Sequence, residues 1–343
     1  MTTFALGTNL TMAELVRREN PDGTRAAIVD VLSQQNAIIA DATWKECNNG
    51  TFNQVTRRAS EPTGQYRMYD MGVLNEAGVT EVVTEPTTML DGLSTVDVAK
   101  AKHQPAGPEA ARTQEDAFFL SGMAKTFAGA LFSGDRAGNP LHINGINTRS
   151  DYNALSSEFV FDNAAGNASA TANKTSLYII QWGEGMTNLI FPRNDGPGEK
   201  EFGIKMQDFG IDLVTDFATS AAQYPAYRSW FEIHFGLMID DPRTIKRMVN
   251  ISTSNIDGVD DFSFDENVLI AATNQLEHNG INARIYMNRT LKTQFDQRAN
   301  DKGNALYTMT APGEGPFGKP VTMFNGIPIG RVDQITNVQA TVT

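Results

Sequence analysis

The chain has 343 residues, with 28 Lys and Arg against 40 Asp and Glu, for a formal charge of −12. That length supports one large domain or two or three modest ones. The acidic balance argues against wrapping nucleic acid over the whole surface, because phosphate binding rests on neutralising cations. The single cysteine, Cys47, excludes an internal disulfide framework and a thiolate zinc cluster.

The amino terminus, MTTFALGTNLTMAELVRREN, has no basic leader followed by an apolar run. No stretch reaches the roughly 20 apolar residues that span a bilayer. A soluble intracellular protein is expected, in which the sequons at Asn167 and Asn173 are chance matches. The first fifty residues are helical pieces between breakers: TRAAIVDVLSQQNAIIADATW places Ile28, Val31 and Leu32 on one side. Too thin to form a core, they read as an arm that packs on something else. From Thr51 to His103 the segments TFNQVTRRA, GQYRMYDM, VTEVVT and STVDVAKAKH are short, β-prone and polar on both faces. Such a stretch buries little by itself and reads as a two-stranded excursion completed elsewhere, against a plain surface lobe as the bland alternative.

The longest helix signal is RTQEDAFFLSGMAKTFAGALFSGD. Thr113 and Asp116 approximate a capping box, Phe119, Met123, Phe127 and Leu131 recur every four residues with Leu120 beside them, and Gly134 ends the run. Gly122, Ala128 and Gly129 would admit a second backbone. A packed spine explains this Met and Phe stripe better than a cofactor slot. After the polar span DNAAGNASATANK come strands in TSLYIIQW, NLIFP, FGIKMQDFGIDLVTDF and YRSWFEIHFGLMI, then a Pro-started turn in DDPRTIKRMVNIS. Ser263 and Glu266 suggest a capping box for the helix DENVLIAATNQLEHN. INARIYMN reads as a strand with Ile281, Ala283, Ile285 and Met287 inward, and RTLKTQFDQRA as a helix with Leu291 and Phe295 facing the core. The chain closes with KPVTMF, the turn pair Asn325-Gly326 and IPIGRVDQITNVQ.

GEGPFGKP, Gly313 to Pro320, has most of a phosphate-cradling loop. Pro320 stands where the metal-holding hydroxyl belongs, Pro312 and Pro316 interrupt the approach, and the β-branched VTMFNG follows where a helix N-terminus should supply free N–H groups. A nucleotide-dependent enzyme is therefore disfavoured. His103, His142, His234 and His278 lie in separate segments without metal-ligand spacing, and the acidic run Asp257 to Glu266 lacks the register of a calcium loop. No nucleophile has a convincing base. Neither catalytic, cofactor nor metal residues are expected, and the chain does not read as an enzyme.

Taken together, several phrases resemble the tailed-bacteriophage major capsid proteins of the Hong Kong 97-like fold. ENPDGTRAAIVDVLSQQNAIIADATW is similar to the family's N-terminal arm and VTRRASEPTGQYRMYDMGV to the start of its extended loop. EDAFFLSGMAKTFAGALFSGD with NPLHINGINTR is similar to its spine helix and exit turn. TSLYIIQWGEGMTNLIFP, YRSWFEIHFGLMIDDPRTIKRMVNI, NARIYMNRTLKTQF and FNGIPIGRVDQI are similar to later strands and the end of the chain. The strength of the match lies in their order.

The resemblance implies an α+β fold with an N-terminal arm and approach (1–48), an extended β-hairpin loop (49–103) and a peripheral domain with the spine helix (104–148). An axial domain (149–316, with 228–251 a candidate return to the peripheral sheet) and a return strand (317–343) complete it. It implies a shell of pentamers and hexamers enclosing double-stranded DNA in a phage head, assembled in the host cytoplasm. It also implies a separate scaffolding protein, a portal at one vertex and weak non-specific contact with the packaged DNA, and it leaves open whether a decoration or cement protein is present. Spine packing would use Phe119, Leu120, Met123, Phe127 and Leu131. Arg17, Arg18, Arg243, Lys246 and Arg247 are candidates for a basic inner face or for ion pairs between subunits. Some members weld subunits through a Lys–Asn bond, but TRRASEPTGQYRMYDM has no Lys, so no such bond is expected. The nearest alternative is a nanocompartment shell of the same fold.

Overall fold

The structure is a computed structural model and describes residues 37–104, 107–166, 173–194, 203–215, 222–253, 262–300, 307–310 and 321–343. The arm with Arg17 and Arg18, and the stretch Gly313 to Pro320, lie outside the described residues. The chain begins with α1 (Ala37–Asp41), β1 (Trp44–Glu46) and a long hairpin, β2 (Phe52–Ser60) and β3 (Val79–Pro86). β4 (Thr88–Asp97) leads into α2 (Val98–His103) and the 26-residue α3 (Pro108–Ser133). β5 (Val160–Asp162), β6 (Lys174–Gln181), β7 (Thr187–Phe191), β8 (Ile204–Thr215), β9 (Gln223–Ile239) and β10 (Ile245–Ser252) follow. The last part holds α4 (Glu266–Asn274), β11 (Ala283–Met287), α5 (Arg289–Asn300), β12 (Tyr307–Thr310), β13 (Val321–Phe324) and β14 (Ile327–Arg331).

The described residues divide into two bodies, one within 89–127 and 202–234, the other within 36–88, 128–201 and 235–343. In the first, β8 pairs antiparallel with β9 from Ile204↔Ile233 to Thr215↔Gln223, and β4 lies on the other side of β9. The register shifts between Asp208 and Gly210. Gly210 takes φ +66° there and donates its N–H to Asp208 Oδ1 at 2.7 Å, a bulge that needs a left-handed residue. α3 covers one face of this sheet. A Cβ at Gly92 would stand 2.9 Å from Met123 Sδ, so a larger residue there would make the Met123 side chain shift. Ser229 meets Asp116 at 3.3 Å, and Arg112 pairs with Asp208 at 2.6 Å while lying 5.0 Å over the Tyr227 ring.

Three expectations for α3 need correction. The helix starts at Pro108, more than a turn earlier than the capping-box reading, because Pro108 follows the left-handed Gly107 and suits a first helical position. Thr113 is therefore interior and donates to the Glu109 carbonyl at 3.0 Å. Met123, Phe127 and Leu131 are buried, but Phe119 is half-buried and Leu120 is 37 % exposed. With 3.6 residues per turn, a row spaced by four drifts about 40° per step, so it winds off the covered face. Nor do Gly122 and Gly129 admit a backbone, since a Cβ at either would meet nothing within 4 Å.

The second body is built on a seven-stranded sheet in the order β12-β13-β14-β11-β6-β10-β5. β10–β5 and β11–β14 are parallel, and the other pairs are antiparallel. Every residue of β6 and β10 is buried, as expected for central strands covered on both faces. β10 joins β6 rather than β9, so residues 228–251 are shared between two sheets. Leu177, Ile179, Met248, Ile285, Leu291 and Phe295 form the main core, with Phe295 5.7 Å from Phe264 and 6.0 Å from Phe324 between ring centres. Asp265, not Ser263, caps α4: its carboxylate accepts from Asn267 N at 2.9 Å, while Ser263 is buried. β11 starts at Ala283, which leaves Ile281 58 % exposed rather than inward. The Asn325-Gly326 turn forms as expected, with φ of 49° and 79° between paired Phe324 and Ile327.

In the same body the turn leaving α3 is a close backbone crossing. Gly145 N donates to Gly134 O at 2.8 Å. A Cβ at Gly145 would fall 2.6 Å from Gly134 N, and one at Gly134 would fall 2.5 Å from Ala130 O. Phe132, a residue outside the predicted stripe, is buried there with its ring 4.7 Å from that of Tyr178.

Candidate assembly surfaces

β2 and β3 pair from Phe52↔Pro86 to Ser60↔Val79 and, among the described residues, with no other strand. Ion pairs such as Arg57–Glu81 at 3.1 Å stitch the ribbon, and near its tip Glu76 accepts from Gly64 N at 3.1 Å and from Gln65 Nε2 at 2.8 Å. Every residue from Arg58 to Val82 is exposed. Among them are Tyr66, Met68, Tyr69, Met71, Val73 and Leu74, none less than 51 % exposed. A two-stranded ribbon is marginal alone, and an exposed apolar set of this size marks a contact surface. The hairpin is shorter than the predicted 49–103 span because β4 leaves it for β9.

Its root is anchored. Val55 and Val83 pack on Cys47, Ile190 and Met238. Burial, with the neighbouring Glu46 charge, pushes the Cys47 thiol up to about 11, so this residue is packing material and not a nucleophile. Buried Glu85 forms an ion pair with half-buried Arg149 at 2.6 Å. A Cβ at Gly236 would lie 2.8 Å from both the Pro86 carbonyl and Ile190, so β9 and the returning strand approach as closely as backbones allow. Neither Glu85 nor Arg149 carries a sequence signal, since their pairing spans 64 residues.

The basic candidates separate on inspection. Arg247 is 2 % exposed and donates to the Tyr152 carbonyl at 2.7 Å, Ser176 Oγ at 3.2 Å and Gln339 Oε1 at 3.1 Å. Lys246 is buried with its ammonium 4.7 Å over the Phe159 ring, and desolvation lowers its pKa below the usual lysine value. Neither can form a basic surface, because IKRM runs as a strand covered on both faces. Arg243 is exposed, but pairs with Asp241 at 2.8 Å and Glu277 at 3.3 Å in its own chain. Among the described residues no group of His, Cys, Asp and Glu could hold a metal ion, and no helix is long and apolar enough to cross a membrane.

Residues 20–343 match the family model of major capsid protein GP7. The chain belongs to that family. No curated protein sequence matches it. Among solved structures, the capsid protein is similar to the near-atomic cryo-EM structure of bacteriophage epsilon15, with 25% identity, 99% of each chain covered and a TM-score of 0.73. More distant similarities are to the bacteriophage JBD30 capsid (10% identity, 90% of this chain and 94% of that one, TM-score 0.42) and to the SrpI encapsulin complex of Synechococcus elongatus (9%, 73% and 98%, 0.42). The fold is the Hong Kong 97-like phage capsid fold, in a mixed α+β form with few helices and many strands. The protein is the major capsid protein of a tailed phage, a structural component whose copies build the virion shell, and the nanocompartment alternative is set aside.

Proposed function

We propose that the capsid protein assembles as pentamers and hexamers into an icosahedral head enclosing double-stranded DNA. Assembly takes place in the host cytoplasm, on a separate scaffolding protein and around a portal at one vertex. The protein acts by assembly and catalyses nothing. The observation that carries this reading is the hairpin: 25 consecutive exposed residues, Arg58 to Val82, with large apolar side chains at the tip. In water that surface is a liability, and contact with a neighbouring copy removes it. In this reading the extended loop is 52–86, α3 is the spine, and the seven-stranded sheet forms the axial domain. Negative-stain microscopy of the expressed protein, alone and with a scaffolding partner, tests it. Angular shells tens of nanometres across are expected; a protein that forms no particles under any condition defeats the proposal.

The packaged DNA is held by confinement rather than by strong attraction to the wall. With Lys246 and Arg247 buried and Arg243 paired to acids, the described basic candidates offer no free cationic patch against a net charge of −12. Free subunits should bind duplex DNA weakly and without sequence preference, losing most of that binding between about 50 and 200 mM salt. A mobility-shift titration checks this, and salt-resistant or sequence-selective binding contradicts it.

A further inference from the structure

Arg149 holds three separate stretches of chain at the root of the hairpin. Nη1 donates to Glu85 Oε1 on β3 at 2.6 Å, and Nη2 donates to the Asn144 carbonyl at 3.1 Å and the Leu237 carbonyl at 3.0 Å. Asn144 lies in the turn after α3 and Leu237 near the end of β9, so one rigid guanidinium fork sets β3 against both. Glu85 is buried and Arg149 half-buried, with side chains 8 % and 15 % exposed. A looser ionic contact lies further out, Arg57 to Asp151 at 3.7 Å, and beyond it the ribbon is exposed to its tip.

The direction of the ribbon is therefore decided at its root. A strand rises about 3.3 Å per residue, so the end of the paired strand at Ser60 lies about 26 Å from Phe52, and a tilt of about 10° at the root moves it by about 5 Å, one inter-strand spacing. Hydrophobic packing of Val55 and Val83 keeps the root attached but does not fix an angle, because it is non-directional. We propose that Arg149 is the positioning residue that aims the hairpin at a neighbouring copy, with Glu85 as its directional partner, and thereby makes the shells uniform in size. The inference rests on the reading that the hairpin is an intersubunit arm.

The test removes direction without leaving a buried charge. Replacing Glu85→Leu and Arg149→Met together exchanges a buried ion pair for apolar side chains, a change that is often neutral or stabilising. The expected double variant melts no lower than the parent, exchanges backbone amides of 52–56 and 82–85 about tenfold faster, and builds particles of mixed diameter or open sheets. Shells of a single, parental diameter overturn the proposal. Should the double variant fail to fold, Arg149→Lys keeps the positive charge near Glu85 but lacks the fork that spans three acceptors, and the same readings decide. If neither replacement folds, the pair serves stability alone and the proposal also fails. Parental shells from a chain without the hairpin would remove the underlying reading, an outcome distinct from uniform shells in the point variants.

Discussion

Replacing residues 57–81 by Asn-Gly leaves a folded subunit that no longer forms shells. Thr56 and Val82 are register partners, so a two-residue turn closes the shortened hairpin without shifting either strand. Val55, Val83 and Glu85 stay in place, and with them the root packing on Cys47, Ile190 and Met238 and the pair with Arg149. The removed residues are exposed apart from half-buried Arg57, whose ion pair with Asp151 at 3.7 Å ties the ribbon to the rest of the subunit, with both partners accessible to water. Such a pair contributes about 0–1 kcal/mol, so the thermal midpoint should move by only a few degrees. Assembly, by contrast, is deprived of the apolar tip with Tyr66, Met68, Tyr69 and Leu74. Light scattering and microscopy read the assembly, and a circular dichroism melt reads the fold. Parental shells from this variant, or a subunit without a cooperative melt, would show that the hairpin is not the assembly arm described.

Phe127→Asp should give insoluble protein. Phe127 is 1 % exposed near the end of the covered part of α3. Loss of a buried aromatic costs about 3–5 kcal/mol, and an unpaired carboxylate in its place adds several more. The sum approaches the whole stability of an ordinary domain, roughly 5–15 kcal/mol. Leu120→Asp in the same helix is the internal control. At 37 % exposure it can turn its carboxylate to water, and a change of under about 1 kcal/mol is expected. Soluble fractions and melts of the two variants check the contrast; equal behaviour would mean that burial along α3 is not as described.

Much of this architecture is written in local chemistry. Gly134 ends α3 at a close-packed terminus, where a Cβ would fall 2.5 Å from the Ala130 carbonyl, and Asn325-Gly326 closes its hairpin because both residues accept positive φ. The hairpin was visible as β-prone residues without apolar alternation, a pattern that cannot build a core. The order of such segments along the chain also carried the likeness to phage capsid proteins. These signals act over a few residues, and composition in a short window is enough to read them.

Other features depend on partners far away in the chain, and no window contains them. IKRM looks like a basic surface until β6 and β5 flank it and residues such as Tyr152 and Gln339 close over Arg247. Thr113 looks like a cap until Pro108 starts the helix more than a turn earlier, and Ser263 looks like one until Asp265 takes the position. Glu85 and Arg149 are an ordinary acid and base until the fold brings them to 2.6 Å across 64 residues. The sequence alone located most helices, strands and turns, although VAKAKH, read as β-prone, forms α2 and GQYRMYDM forms no strand; it also showed that one ribbon lacks a core of its own and which family the chain resembles. The tertiary structure decided which faces are covered and which charges meet, because burial and ion pairing depend on what neighbours a side chain in space.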